Sequence, residues 1–349
     1  MIFPAVLSKY KNIKIPKAKA FLAQASLLVI VSIALSCKKH APTPGPGIEM
    51  RDPSMIYVSK TGKYYVFGTG AGINVWSSTD LKAWKQEPNV FKVAPGWTYD
   101  MIPNFDNNIW APDISYHDGK YYLFYAVSQF GTLNSAIGYA TNVTLDAADS
   151  TYQWVDHGRK VSSIYNYNAI DPNYVTDYSG NPYLVYGSFY DGITVEKLQD
   201  DTLQQLNAMA AVAKPPVLAS RSKVVITSTA NSIEAPFIFK YNNYYYLFAS
   251  INSCCAGINS NYQTIVGRST TIDGEYYDKN NVAMSAGGGT VVLQGSQSWH
   301  AAGGESVYQF GGAYYIVYFS YDNTGTPRLR VSPFTWDAGG WPVVQASLQ

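Results

Sequence analysis

The stretch Trp110–Tyr125, WAPDISYHDGKYYLFY, decides the fold, because its pattern occurs five times along the chain. In each copy an acidic residue or a glycine stands near a proline, and a short strand pattern, a turn signal and a tyrosine-rich strand follow. Alternating residues on both sides of Asp118–Gly119 are typical of a β-hairpin. The other four copies are Asp52–Phe67, Asp171–Tyr186, Glu234–Phe248 and Gly304–Tyr318.

The spacing of these copies indicates how the hairpins are arranged. The tyrosine-rich strands begin at positions 64, 121, 183, 244 and 314, roughly 60 residues apart. Further strand-like pieces, such as 73–78 and 136–140, lie between them. A period of this length with about four strands per repeat is typical of a propeller blade. The sequence therefore predicts an all-β, five-bladed β-propeller, and a pair of β-sandwiches is the alternative.

The N-terminus has the composition of an export signal. Five lysines precede the apolar run Phe21–Leu35, which is about 15 residues long and too short for a comfortable membrane span. The small residues before Cys37 resemble a bacterial lipobox, in which cleavage precedes a lipid-modified cysteine. We predict a signal peptide at 1–36, a lipidated Cys37 and flexible tether at 37–49, and the propeller at 50–349. An uncleaved N-terminal anchor is the alternative.

The composition excludes two classes of protein. With 47% hydrophobic and 14% charged residues, the 349-residue chain is too apolar to be disordered. Its net charge is +1, and removal of 1–36 takes away five lysines and leaves −4, so no basic field exists for nucleic acid. We expect a monomer whose partner is a polysaccharide. Contact with a membrane is expected only through the lipid anchor, on the periplasmic or cell-surface face of the outer membrane.

The repeat gathers acidic residues at one end of the predicted channel. In a propeller the innermost strands run in the same direction, so one position of the repeat recurs at one height around the axis. We assign Asp52, Asp171 and Glu234 to the first position of the repeat, with Asp113 and Glu305 slightly further in. Like charges this close raise one another's pKa, which is typical of functional sites.

Carboxyl pairs at a sugar-sized spacing indicate glycoside hydrolysis. One acid protonates the leaving oxygen, and the other draws a proton from water on the opposite face. The aromatic content of 15% fits this chemistry, because aromatic faces stack on sugar rings. Seven aromatic residues near blade ends are candidates for such contacts: Trp76, Trp97, Trp110, Phe130, Tyr165, Tyr167 and Tyr190.

Four motifs, RDP at 51–53, WAPD at 110–113, YNAIDPN at 167–173 and IEAP at 233–236, resemble glycoside hydrolase family 43. More narrowly, the chain resembles the endo-α-1,5-L-arabinanases of that family. The resemblance covers essentially all of 50–345 and keeps the three acid motifs in order. It implies an inverting hydrolase on a five-bladed propeller that cleaves internal bonds of pectic arabinan and requires no cofactor for its chemistry.

The resemblance also implies a role for each acid. Asp52 is the general base that activates water, Glu234 is the general acid, and Asp171 orients that acid and raises its pKa. Inversion requires base and acid roughly 6.5–9.5 Å apart, so that a water molecule fits between them and the sugar. Motifs and resemblance together assign substrate contacts to Arg51, Trp110, Asp113, Phe130, Asn168, Ser188, Cys254 and Cys255.

Three positions depart from the arabinanase pattern and concern a channel metal, often calcium. Arg51 replaces a histidine before the first acid, and Phe319 replaces one after the last tyrosine of blade five. Gly304 replaces the histidine of a Gly-His-Asn motif that approaches the metal. His300 and Glu305 remain as candidate metal ligands. His300 is otherwise a surface or packed histidine, and Glu305 otherwise forms a salt bridge with Arg328 or Arg330.

The adjacent residues Cys254 and Cys255 cannot join distant segments of the chain. At most they form a vicinal disulfide, and we favour two small, packed thiols.

Two other functions stay open. Arg51 is compatible with an exo-acting α-L-arabinofuranosidase or β-xylosidase of the same family. The missing histidines are compatible with a lipid-anchored propeller that binds a glycan without cleaving it.

Overall fold

Antiparallel sheets dominate the computed structural model, which describes residues 47–163, 166–198, 214–222 and 231–348. Within these ranges five sheets follow one another along the chain, and each contains one of the five repeats. The predicted five-bladed β-propeller is confirmed, and the alternative of two β-sandwiches is wrong. Residues 1–36, Cys37 and Tyr165 lie outside the described residues, so the signal peptide and the lipidation site stay predictions.

The strands are numbered in chain order. Blade 1 contains β1 (Ser54–Val58), β2 (Lys63–Gly68), β4 (Asn74–Ser78) and β5 (Lys85–Glu87). Blade 2 contains β6 (Asn108–His117), β7 (Lys120–Ser128), β8 (Ser135–Asn142) and β9 (Val155–Ser162), with the short β3 (Gly70–Ala71) on the edge of β6. Blade 3 contains β10 (Asn173–Thr176), β11 (Pro182–Tyr186), β12 (Ile193–Lys197) and β13 (Val217–Ala219).

Blade 4 contains β14 (Ile233–Tyr241), β15 (Tyr244–Ile251), β16 (Gln263–Ser269) and β17 (Thr290–Leu293). Blade 5 contains β18 (His300–Phe310), β19 (Ala313–Tyr321), β20 (Pro327–Trp336) and β21 (Pro342–Val344). One short helix, α1 (Gly96–Met101), precedes blade 2, and 3-10 turns lie at Gly257–Asn259 and Met284–Ala286. Across the described ranges, no helix has the length and apolar character needed to cross a membrane.

The first two strands of a blade form a hairpin whose turn follows from the sequence. Between β6 and β7 the loop is Asp118–Gly119, with φ angles of 50° and 76°. A two-residue hairpin turn of type I′ requires left-handed backbone at both positions, and Asp-Gly adopts it readily. Gly311–Gly312 does the same in blade 5, with φ angles of 56° and 82°. The repeated turn signals therefore predicted the hairpins correctly.

Each inner strand is preceded or interrupted by a bend at the channel. One residue per blade adopts a left-handed φ between 40° and 61°, a costly conformation for residues other than glycine. In four blades a proline follows, and because proline has no N–H, the bend leaves no donor unpaired there. The five bend residues are Asp52, Ala111, Asp171, Ala235 and Gly304.

Hydrogen bonds between blades connect the inner strands around the channel. Two positions after the bend, a polar side chain of one blade accepts a backbone N–H of the next blade. The pairs are Ser54 Oγ with Ile114 N at 2.9 Å, Asp113 Oδ2 with Tyr174 N at 2.7 Å, and Asn173 Oδ1 with Ile238 N at 2.8 Å. Phe237 interrupts the series in blade 4, and the Tyr308 hydroxyl accepts the Met55 N–H at 2.8 Å to link blade 5 to blade 1.

The apolar core lies between the blades and leaves the channel to polar groups. Each pair of neighbouring blades buries one cluster of side chains. Representative members are Phe67 (blades 1 and 2), Phe124 (2 and 3), Leu247 (3 and 4), Phe248 (4 and 5) and Met55 (5 and 1).

The ring closes through the residues that precede blade 1. Met50 N donates to Pro327 O at 3.1 Å, and Leu329 N donates to Ile48 O at 3.0 Å, so this segment pairs with the edge of β20. Ile48 and Glu49 fall within the predicted tether, and both pair with the start of β20.

Candidate active site

The five bends meet at one mouth of the channel and enclose a small cavity. Its volume is about 30 Å³, which is room for one or two water molecules. The predicted gathering of acidic residues at one mouth is present, since the cavity wall includes Asp52, Asp113, Asp171 and Glu305.

Asp52 has two partners that favour its ionised form. Thr69 Oγ1 donates a 2.5 Å hydrogen bond to Asp52 Oδ2, and the charge of Arg51 attracts the carboxylate. Burial acts in the opposite direction and is the larger effect, so the pKa of Asp52 is raised overall. Thr69 Oγ1 also accepts the Ala111 N–H at 2.9 Å. The threonine hydroxyl proton is therefore left for Asp52.

Glu234 and Asp171 form a buried pair of carboxyl groups. Ser188 Oγ donates to Glu234 Oε2 at 2.9 Å, and the Ala235 N–H donates to Asp171 Oδ2 at 2.9 Å. Burial raises the pKa of Glu234, and burial together with the charge of Glu234 raises the pKa of Asp171. The two groups titrate as a pair, which retains a proton at a pH where an exposed carboxyl group has lost it.

The three acids do not share one position of the repeat. Asp52 and Asp171 occupy the bend itself, whereas Glu234 precedes the bend of its blade, at Ala235. The assignment of Glu234 to the same position as the two aspartates is therefore wrong. The bend falls on the residue directly before the proline of the motif, which in blade 4 is Ala235 and not the acid. Glu234 consequently lines an open hollow beside the cavity.

Asp113 lies deeper in the channel and is engaged by the protein. It accepts the Tyr174 N–H at 2.7 Å, the Ser54 hydroxyl at 3.4 Å and the Asn173 amide at 3.3 Å. Burial outweighs these bonds and raises the pKa of Asp113 to about 7. These partners belong to blades 1 and 3, so Asp113 ties both neighbours to blade 2.

Glu305 is also buried, and one of its oxygens is engaged. Glu305 Oε2 accepts the hydroxyls of Ser250 at 2.5 Å and Thr264 at 3.0 Å, while Oε1 has no partner in the described part of the chain. Burial raises the pKa of Glu305 to about 8. The expected salt bridge to Arg328 or Arg330 is wrong, because Arg328 pairs with an aspartate and Arg330 stacks on a tryptophan.

The open hollow beside Glu234 has a volume of about 480 Å³. On its wall Phe130 is 82% exposed, and its ring lies 6.4 Å from that of Trp110 in an edge-to-face arrangement. Large apolar side chains this exposed often mark binding sites. Asn168 and Ser188 line the same hollow, so the structure brings these four predicted substrate contacts together.

The other aromatic candidates divide between the hollow and the core. Tyr190 lines the hollow. Tyr167 is fully buried, and Trp76 and Trp97 pack against clusters between blades. The last three therefore contribute to the core, which most aromatic residues of a protein do.

Arg51 lies at the channel mouth beside Asp52. Its Nε is buried and has no hydrogen-bond partner within the described ranges. A buried donor of this kind needs a partner, which a substrate can supply.

Cys254 and Cys255 are joined to each other by a disulfide, so the preference for two free thiols is wrong. The left-handed backbone of Cys255, with φ of 65°, forms the tight turn at this pair. Cys254 packs against the aromatic cluster of Tyr262, Phe319 and Tyr321, and the Cys255 N–H donates to the Tyr321 hydroxyl at 2.9 Å. Neither cysteine lines the open hollow.

Gly304 leaves no room for the histidine that the arabinanase pattern places beside the suggested calcium ion. At Gly304 an added Cβ would lie 2.7 Å from Asp52 Oδ1 and 2.6 Å from the Phe319 ring, so a histidine has no room there. His300 lies 3.1 Å from Asn323 Oδ1 and lines a separate groove. Among the residues that the structure describes, no three His, Cys, Asp or Glu side chains are placed to hold a metal. We assign no chemical step to a metal.

Thr69 is a site residue that the sequence analysis did not assign. It stands between Gly68 and Gly70, and a Cβ added at Gly68 would lie 2.9 Å from Arg51 O. The close approach of β2 to the Asp52 segment therefore requires a glycine. The sequence signal that could have identified Thr69 is a polar residue between two glycines at the end of a predicted strand.

The arrangement of acids, cavity and hollow agrees with one family model. A model of the glycosyl hydrolases family 43 matches residues 47–342, a range that contains Asp52, Asp171 and Glu234. The chain belongs to glycosyl hydrolase family 43. The predicted family and the prediction of a glycosidase are thereby confirmed.

Family 43 relatives of known name span most of this chain. An extracellular exo-α-(1→5)-L-arabinofuranosidase of Cellvibrio japonicus is 36% identical over 328 residues, covering 91% of both chains. An extracellular endo-α-(1→5)-L-arabinanase of Bacillus subtilis is 36% identical over 301 residues, covering 84% of this chain and 87% of the other. The structure of a Cellvibrio cellulosa α-L-arabinanase complexed with arabinohexaose is 35% identical with a TM-score of 0.80, covering 86% of this chain and 96% of the other.

Proposed function

We propose that this family 43 chain hydrolyses internal α-1,5-L-arabinofuranosidic bonds of arabinan, with inversion of configuration. The observation that carries the proposal is the meeting of Asp52, Asp171 and Glu234 between a water-sized cavity and an open hollow. The relatives support the substrate class, since their names specify α-(1→5)-L-arabinofuranosyl bonds and one neighbour was solved with arabinohexaose.

In this proposal Asp52 is the general base. It takes a proton from a water molecule in the cavity as the water oxygen forms a bond to the anomeric carbon. Burial raises the pKa of Asp52, and the hydrogen bond from Thr69 and the positive charge of Arg51 oppose that rise, so both favour the ionised form that a base needs.

Glu234 is the general acid, and Asp171 is its partner. As the glycosidic bond breaks, the protonated Glu234 carboxyl gives its proton to the leaving oxygen and becomes a carboxylate. Burial and the negative charge of Asp52 oppose ionisation of Glu234 before the reaction, and the Ser188 hydroxyl at 2.9 Å stabilises the carboxylate that forms. Because Asp171 accepts the Ala235 N–H, it also fixes the backbone next to the acid.

Two openings on different blades support endo action. The hollow lined by Trp110 and Phe130 extends over blades 2 and 3. A second groove of about 370 Å³, which includes Ser260 and His300, lies over blades 4 and 5. An enzyme that cuts inside a polymer must hold sugars on both sides of the scissile bond, and in this proposal the two openings hold them.

The test is product analysis of debranched linear arabinan, with a Glu234→Gln variant as control. A ladder of arabino-oligosaccharides at early times that disappears in the variant supports the proposal. Arabinose or one short product alone would replace endo with exo action. Release of products by the variant at the wild-type rate would remove Glu234 from the role of acid. Binding of arabinan by wild type without any hydrolysis would support the alternative of a propeller that binds a glycan and does not cleave it.

Export is part of the proposal, because both named relatives are extracellular proteins. We propose that Cys37 carries a lipid that keeps the enzyme on the membrane. Fractionation of cells that express the full chain or a Cys37→Ser variant tests this. We expect the wild-type protein in the membrane fraction and the variant in the soluble fraction. The same distribution of both proteins would contradict a lipid anchor at Cys37.

A further inference from the structure

Tyr262 stands next to the proposed acid, although its position in the sequence gives no sign of this. It directly precedes β16, which pairs with β15, and β15 pairs with the strand that carries Glu234. In that ladder Ser250 faces Glu234 on one side and Thr264 on the other. The Tyr262 ring is 2% exposed and packs with Phe319.

The space for this ring is created by a glycine of blade 5. A Cβ added at Gly303 would lie 2.3 Å from Tyr262 Cδ1 and 2.6 Å from Ser250 Oγ. The Ala302 N–H donates to Tyr262 O at 2.9 Å, which fixes the tyrosine backbone to the same strand. Blade 5 therefore contacts both the ring and the backbone of Tyr262 and fixes its position.

The hydroxyl of Tyr262 lies among the acids. Its burial, together with the charges of Glu234, Asp171 and Glu305, raises the pKa of Tyr262 well above its usual range, so the hydroxyl keeps its proton. A protonated phenol can donate to a carboxylate. An interaction from this hydroxyl lowers the pKa of Glu234, against the larger effect of burial.

We infer that Tyr262 is a positioning residue for the general acid: its hydroxyl and that of Ser188 both donate to the Glu234 carboxylate that forms when the proton is transferred. The inference rests on the proposed role of Glu234 and extends it. Two donors stabilise the charge that develops on the acid, and they fix the carboxyl toward the hollow. A hydrogen bond to a charged group contributes more than one between neutral groups.

The test compares wild type with Tyr262→Phe, which keeps the ring and removes only the hydroxyl. Loss of a donor to the ionised form raises the pKa of Glu234, so the alkaline limb of the kcat profile moves to higher pH. We expect kcat to fall about tenfold with a smaller change in KM. Ser188→Ala should move the same limb in the same direction. Tyr276→Phe removes another buried hydroxyl, which bonds to Ile272 O at 2.9 Å outside the site, and should leave the limb in place.

A titration makes the outcome independent of the substrate. The carbon-13 signal of the Glu234 carboxyl should titrate at higher pH in Tyr262→Phe than in wild type, even if arabinan is not cleaved. An unchanged titration would overturn the inference, and this result differs from a failure of wild type to hydrolyse arabinan, which bears on the proposed function. Thermal unfolding of both proteins establishes that the variant is folded.

Discussion

The Thr69 hydroxyl oxygen lies 2.5 Å from Asp52 Oδ2, and the same oxygen accepts a backbone N–H at 2.9 Å. This second bond orients the hydroxyl, so its proton points at the carboxylate. The donor that favours the ionised base therefore directly follows β2 of the same blade, while the N–H that orients it comes from β6 of the next blade. The pKa of Asp52 therefore depends on the contact between blades 1 and 2.

Replacement of Thr69 by alanine should move the acidic limb of the pH profile to higher pH. Without the hydroxyl, burial raises the pKa of Asp52 further, and a base must be ionised to act. We expect kcat/KM at the acidic side of the optimum to fall about tenfold for each unit of pKa change.

The matched control is Thr69→Ser, which keeps the hydroxyl and loses only a methyl group. Its acidic limb should stay near that of wild type. Equal shifts in both variants would mean that the methyl packing of Thr69, rather than its hydrogen bond, affects Asp52.

Asp171→Asn should lower activity and raise stability. Asparagine tolerates the left-handed φ of 56° and its amide oxygen can accept the Ala235 N–H. Because burial and Glu234 raise the pKa of Asp171, its contribution to stability falls as the pH rises through that pKa. The variant removes this penalty, so the free energy of unfolding should exceed that of wild type at alkaline pH. Activity should fall about 100-fold.

Denaturant melts and arabinan hydrolysis between pH 5 and 9 measure both effects. Asp171→Ala is the contrasting variant, because it loses the hydrogen bond and keeps the costly backbone conformation; it should lose both stability and activity. A less stable Asp171→Asn at alkaline pH would show that the ionised pair contributes favourably to folding.

Asp113→Asn should make the protein less sensitive to alkaline pH. The pKa of Asp113 is about 7 in the fold against an ordinary value of 3.8. A raised pKa means that the folded state holds a proton which the unfolded state has lost, so stability falls from about pH 4 to about pH 7. The variant should match or exceed wild type in free energy of unfolding at pH 8, and the difference should shrink toward pH 4.

Asp322→Asn provides a control of opposite sign. Although burial acts to raise it, hydrogen bonds from Thr324 and Arg328 lower the pKa of Asp322. Its stabilising contribution is therefore present at neutral pH and is lost as the pH falls. This variant should be destabilised at pH 7 and should approach wild type in acid. The same pH trend in both variants would refute the assignment for Asp113.

Phe130→Ala should weaken substrate binding and leave the fold intact. The ring is 82% exposed on the hollow, so its removal opens no cavity in the core. Loss of a stacking contact should raise KM for arabino-oligosaccharides about two- to tenfold. Val93→Ala, at a residue 68% exposed that lines neither the cavity nor the hollow, should leave KM unchanged. A drop in melting temperature without a change in KM would assign Phe130 to packing instead.

The fold and the three acids were predictable because their signals are local. A turn such as Asp118–Gly119 specifies a hairpin by itself, and five copies at a regular spacing specify the ring. In the motifs of all three acids a proline in the sequence marks the bend, and Asp52 and Asp171 occupy such a bend while Glu234 stands beside one. Their convergence then follows from the symmetry of the propeller.

What sequence could not specify depends on contacts between segments far apart. Tyr262 reaches Glu234 through the pairing of three strands and the absence of a side chain at Gly303. Glu234 differs in register from Asp171 because the bend in blade 4 falls one residue later than its acid. The bond between Cys254 and Cys255 depends on one left-handed residue in a loop with no turn signature.

The pairing of the segment before blade 1 with β20 has a consequence for folding during synthesis. Arg328 donates to Gly47 O across 281 residues of chain. A ribosome adding about 5–20 residues per second needs on the order of tens of seconds to supply that length. Until β20 emerges, the apolar side chains of Met55 and Val66 lack the cover of Val317 and Leu329. Such long-range contacts slow folding, so the N-terminal blade stays incompletely covered until blade 5 has been synthesised.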